Sequence, residues 1–158
     1  MKSIVTLFFL TVALLAPPAL QAQSADGPQF AIQSTATGII QLSARKFERG
    51  EYRQAAAIAQ QATERGLTRS RRSAAWSNLC AARAMQGQEE VALVACETAL
   101  ELDASWQANN NYAVVLLRNG QLAEAHTHLA IAYDLAPDAS IVAANQTILS
   151  SRTLAAAQ

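Results

Sequence analysis

The chain has 158 residues, 51% of them apolar but only 6% aromatic. Much of the apolar share is alanine, the strongest helix former and a residue that lets backbones approach closely, which favours packed helices over a sheet in one modest domain. With 12 basic and 12 acidic residues the net charge is zero, and nothing global points to nucleic acid.

Residues 1–22 read as a separate object. Lys2 supplies a short positive start, Ile4 to Ala16 is almost wholly apolar, Pro17 and Pro18 break the run, and Ala19-Leu20-Gln21-Ala22 offers small residues at a cleavage point. This is the plan of a secretory signal peptide cut after Ala22, and the apolar run is short for a membrane span. No cysteine follows it, so no lipid anchor is expected. An uncleaved anchor is the alternative. The style of the signal is Gram-negative, which places the chain in the periplasm, or outside the cell if it is secreted further. Residues 23–35, rich in Gln, Ser, Gly and Pro from Ser24 on, read as a flexible leader.

Three positions then recur in register. Gly50, Gly87 and Gly120 are each followed five residues later by an alanine (Ala55, Ala92, Ala125) and twelve later by another (Ala62, Ala99, Ala132). A period near 34 is the mark of a helical solenoid. Apolar-periodic stretches stand on either side of each glycine: Ile39 to Phe47, Trp76 to Met85 and Tyr112 to Leu117 before it, and Ala55 to Ala62, Val91 to Leu102 and Leu122 to Leu135 after it. Each unit is therefore two helices joined at a glycine that tolerates positive φ, with small alanines where the helices pack. Pro137 and Asp138 end the last unit and open a further helix, about Ala139 to Ala156, suited to capping the stack.

These residues resemble the tetratricopeptide repeat (TPR) family. The second unit carries Trp76, Leu79, Cys80, Gly87, Ala92, Cys96 and Ala99, with Ala104 where proline is usual. The third carries Asn109, Tyr112, Ala113, Leu116, Gly120, Ala125, Leu129, Ala132 and Pro137, and the first Ile39, Leu42, Ser43, Gly50, Ala55, Ala59, Ala62 and Leu67. The resemblance implies an all-α, right-handed superhelix of three helix-turn-helix repeats, at about 36–69, 73–105 and 106–137, with a C-terminal capping helix and tail at 138–158. It also implies that the first helices line a concave groove. The positions that match are Ile40, Gln41, Ala44 and Phe47 in the first unit, Ser77, Asn78, Ala81 and Met85 in the second, and Asn110, Asn111, Val114 and Leu117 in the third.

Gln41, Asn78 and Asn111 occupy one equivalent position per repeat. A carboxamide both donates and accepts, so a ladder of them can hold an extended peptide backbone, as some TPR proteins do; the alternative is a polar, solvated face. The groove lacks the Lys and Arg with which chaperone-tail receptors of the family clamp a C-terminal carboxylate, although Arg118 stands at one end to meet an acidic side chain.

Cys80 and Cys96 are the only cysteines, on the two helices of the middle repeat and equally far from residue 88 at its turn. In an exported chain they either form a disulfide across the hairpin, closing a loop of about 15 residues for roughly 3 kcal/mol, or fill small-residue slots as buried thiols. His126 and His128, two apart on a helix, face different sides and cannot chelate one metal, so they are expected as surface histidines. Arg65, Arg69, Arg71 and Arg72 form one basic cluster in the lengthened linker between the first two repeats. No phosphate-cradling loop, metal spacing or nucleophile–base pair stands out, so neither cofactor nor catalysis is expected. The reading is a periplasmic module that binds a peptide or protein segment in its groove, with no nucleic acid and no stable membrane insertion after cleavage. The alternative is a self-associating scaffold component of an envelope, secretion or pilus-type assembly.

Overall fold

The computed structural model describes residues 27–158; the expected signal peptide and its cleavage site lie outside them. Seven helices follow in order: α1 (Gly38–Glu48), α2 (Tyr52–Thr63), α3 (Arg69–Ala84), α4 (Glu89–Leu102), α5 (Trp106–Arg118), α6 (Leu122–Leu135) and α7 (Ser140–Ala156). No β-sheet pairing forms among the described residues, and the fold is an all-helical, TPR-like repeat.

The three repeated glycines set the turns. Gly50, Gly87 and Gly120 have φ of 74°, 73° and 76°, the left-handed region that a side chain resists. At each, the glycine N–H bonds back to a carbonyl of the preceding helix, and the next residue's N–H reaches the carbonyl one residue earlier. Glu51 donates to the Lys46 carbonyl (2.9 Å), Gln88 to that of Arg83 (3.0 Å) and Gln121 to that of Leu116 (2.9 Å). This paired closure satisfies carbonyls that a helix end leaves orphaned. The partner helix then starts at once, so each pair is tightly antiparallel.

The recurring alanines lie at the seams: Ala55, Ala62, Ala92, Ala99, Ala125 and Ala132 are all fully buried. Each helix packs against the next in sequence. Beyond that, α1 meets α3, α3 meets α5 and α5 meets α7, while α2, α4 and α6 do not meet one another. The odd-numbered helices therefore crowd together on the inner side and the even-numbered ones splay on the outer side, which curves the stack. The core runs through this stack from Phe30 and Phe47 to Val142 and Leu149, and Ile40, Ala62, Ala74 and Ala75 form a smaller group at the α1 end.

Cys80 and Cys96 are joined in a disulfide between α3 and α4, both fully buried, with Cα atoms 5.2 Å apart. The arginine cluster is placed differently from its expected position in a linker. The α2–α3 connection ends at Thr68, and Arg69, Arg71 and Arg72 already belong to the first turn of α3. Arg69 reaches across to the end of α4, donating to the carbonyls of Leu102 (2.5 Å) and Glu101 (2.7 Å). A cation at a helix C-terminus satisfies orphan carbonyls and complements the helix dipole. This offsets the misplaced positive charge at the start of α3.

Candidate functional site: an occupied groove

The stretch expected as a flexible leader is, from Gly27 on, an extended strand laid along the inner face of the stack. Phe30 and Ala31 are buried, at 4% and 6% exposure. Its backbone is gripped at every second residue by one carboxamide. Asn145 on α7 accepts the Gln29 N–H (2.8 Å) and donates to the Gln29 carbonyl (2.9 Å). Asn111 on α5 does the same for Ala31 (2.7 and 3.0 Å), and Asn78 on α3 for Gln33 (2.9 and 2.8 Å).

The spacing has a physical reason. In an extended strand the N–H and C=O of one residue point to the same side, and that side recurs every two residues, about 6.6 Å along the chain. One helical repeat supplies one asparagine, so successive repeats meet successive alternate residues. The strand runs against the order of the repeats, from α7 to α5 to α3, and then turns into α1.

A second row of side chains holds the ladder in place. The Asn111 amide also donates to Ser77 Oγ (2.9 Å), and the Asn145 amide to Asn110 Oδ1 (2.8 Å). Ser77 and Asn110 each immediately precede a ladder residue on the neighbouring inner helix. Asn110 additionally donates to the Gln29 carbonyl (3.1 Å). These five residues are buried to 1% or less, so their hydrogen bonds replace, group for group, what water would give. Alongside the polar row, Phe30 meets Phe47 edge-on at 6.3 Å between ring centres, and Phe47 meets Tyr52 in the same way at 5.0 Å.

The predicted groove residues fall into three groups. Asn78, Asn111, Asn110, Ser77 and Phe47 touch or brace the strand. Ile40, Ala44, Ala81, Val114 and Leu117 are core residues and Met85 is half-buried against the core. Gln41, expected as the first rung, is exposed and takes no part in the ladder. The third rung is instead Asn145, on the helix expected only to cap the stack. The signal was present: Asn78, Asn111 and Asn145 stand 33 and 34 residues apart, so α7 takes the place of the first helix of a fourth unit. Arg118, expected to meet an acidic ligand, is already engaged by Glu89 (2.8 Å) and the Ala84 carbonyl (3.0 Å).

His128 also departs from the surface position expected of it. It is half-buried, with Nδ1 2.9 Å from Asn109 Oδ1 and its ring edge-on to Tyr112 at 4.7 Å. Burial lowers its pKa, partly opposed by the charge of Glu124. The Tyr112 hydroxyl donates to Glu97 (3.1 Å); burial first, and then that carboxylate, push its pKa well above the ordinary tyrosine value. His126 is exposed, as expected. Among the described residues, no three His, Cys, Asp or Glu side chains gather as a metal site, and no helix is long and apolar enough to cross a membrane.

No protein-family model matches the chain, and no curated protein matches it. Among solved structures, the fold is similar to the type III secretion translocator chaperone SycD of Yersinia enterocolitica. The TM-score is 0.64 and the identity 21%, over 80% of this chain and 90% of that one. The described helices and this likeness together establish an all-helical fold of TPR-like repeats.

Proposed function

We propose that the protein is a member of the TPR family that is exported to the periplasm and binds an extended segment of a partner protein in its concave groove. One observation carries this reading: the carboxamides of Asn78, Asn111 and Asn145 hold both backbone groups of alternate residues in an extended strand. Such a grip uses what every polypeptide has and leaves side-chain pockets to choose among sequences. Likeness to a secretion translocator chaperone supports a protein partner and a secretion-linked role. The buried Cys80–Cys96 bridge suits an oxidising compartment, in keeping with the signal-like residues 1–22. The reading needs no catalytic step and no cofactor.

The test has two parts. Expressed from Met1 with a C-terminal tag in a Gram-negative host, the chain should appear in the periplasm with Gln23 as its first residue. Cytoplasmic protein retaining Met1 would sink the export claim. Partner capture from that compartment should be lost on combining Asn78→Ala with Asn111→Ala, at unchanged fold by circular dichroism. Undiminished capture would refute the groove as the binding site.

A further inference from the structure

The groove is filled by the chain itself, and the way it is filled describes what else would fit. The grip is made of backbone groups, but the strand's side chains are not treated alike. Phe30 is buried against Phe47, at the start of an aromatic row that continues to Tyr52. Ala31 is buried at the rung of Asn111 and Ser77, and Ile32 is half-buried against the core. One position is poorly matched. The Nε2 of Gln33 is buried and finds no acceptor among the described residues. A buried donor without a partner opposes docking.

Resting on the reading of the groove as a peptide site, we propose that Gln29–Gln33 is a resident ligand, and that the partner is an extended segment of the same class which displaces it. That class has an aromatic residue at the place of Phe30, a small one at Ala31, an aliphatic one at Ile32, and an apolar residue where Gln33 now wastes a donor. The segment runs from α7 toward α3. Only residues 34–37 separate the resident strand from α1. A tether so short gives an effective concentration on the order of millimolar, so a free peptide of equal strength is excluded until it matches that figure. The mismatch at Gln33 is what lets a better segment win.

The test uses the full chain and a fluorescein-labelled peptide of residues 28–34, read by anisotropy, with amide hydrogen exchange at Gln29, Ala31 and Gln33 reporting whether the resident strand is docked. Phe30→Asp should release the strand, speeding exchange at those three amides, and should bind the peptide at least tenfold more tightly than the unaltered chain. Ala31→Asp serves the same purpose should Phe30→Asp fail to fold. On the released chain, replacing Phe by Ala in the peptide should weaken binding at least tenfold, and replacing the second Gln by Met should strengthen it. Equal binding to unaltered and released chains would overturn the resident-ligand proposal while leaving the groove reading intact, provided Asn78→Ala with Asn111→Ala still abolishes binding. Indifference to the Phe-to-Ala change would overturn the ligand class. A released strand with no peptide binding at all would overturn the groove reading itself, and this proposal with it.

Discussion

Asn111→Ala is the sharpest test of the groove's energetics. The substitution deletes the acceptor for the Ala31 N–H, the donor for the Ala31 carbonyl and a bond to Ser77 Oγ, all at a site with no exposed surface. The serine hydroxyl can turn to another partner, but the two backbone groups of Ala31 cannot. At about 1–3 kcal/mol for each buried group left unpaired, a strand that stays docked loses about 2–6 kcal/mol. The chain has a cheaper route. Letting the strand go limits the loss to the strand's net docking energy in the unaltered chain, because the freed residues regain backbone entropy while the burial of Phe30 and the rungs at Gln29 and Gln33 are given up. The variant therefore takes that route, and global stability falls by about 1–3 kcal/mol rather than by the full penalty. Urea unfolding should show this loss, and hydrogen exchange should show the amides of residues 29–33 opening far ahead of global unfolding. Gln41→Ala, at the position that the repeat register equates with the ladder, should change stability by less than about 0.5 kcal/mol because its side chain is exposed. If Asn111→Ala were as silent as Gln41→Ala, with residues 29–33 still protected, the carboxamide of Asn111 would not be what holds the strand in the groove.

Two further outcomes follow from buried features outside the groove. No thiol should react with a thiol reagent in unfolded, unreduced protein, and replacing both Cys80 and Cys96 by alanine should cost about 3 kcal/mol, the entropy of a loop of this size; two titratable thiols without reductant would contradict the bridge. His128 is held neutral by burial, so its folded pKa lies below the unfolded value. Its contribution is fully present above about pH 6.5 and is lost as pH falls through the folded pKa, because the unfolded chain takes up the proton first. The unaltered chain should therefore lose stability more steeply than His128→Gln between about pH 7 and pH 5, and parallel profiles would exclude His128 as the cause.

What could be read without coordinates was what is local. The glycines at 50, 87 and 120 demanded a left-handed turn residue, the alanines five and twelve positions on demanded close helix contacts, and both demands act within one hairpin of about thirty residues. The disulfide was foreseeable for the same reason, since Cys80 and Cys96 are symmetric about one turn, although their spacing left free thiols as an alternative. Asn78 and Asn111 stood out by register alone.

Tertiary structure decided everything that depended on which surface meets which. Gly27 to Thr37 has no helical or strand period and a leader's composition, so nothing local marks it as ordered. Its order comes from asparagines 45 to 116 residues away that satisfy its backbone. The same long-range geometry admitted Asn145, left Gln41 in solvent, turned Arg118 toward Glu89 and sent Arg69 to the end of α4. Helical periodicity determines which residues share a face. Only the stacking of faces determines which groups lose their water, and with it which polar side chains must find partners and where the chain's own strand comes to rest.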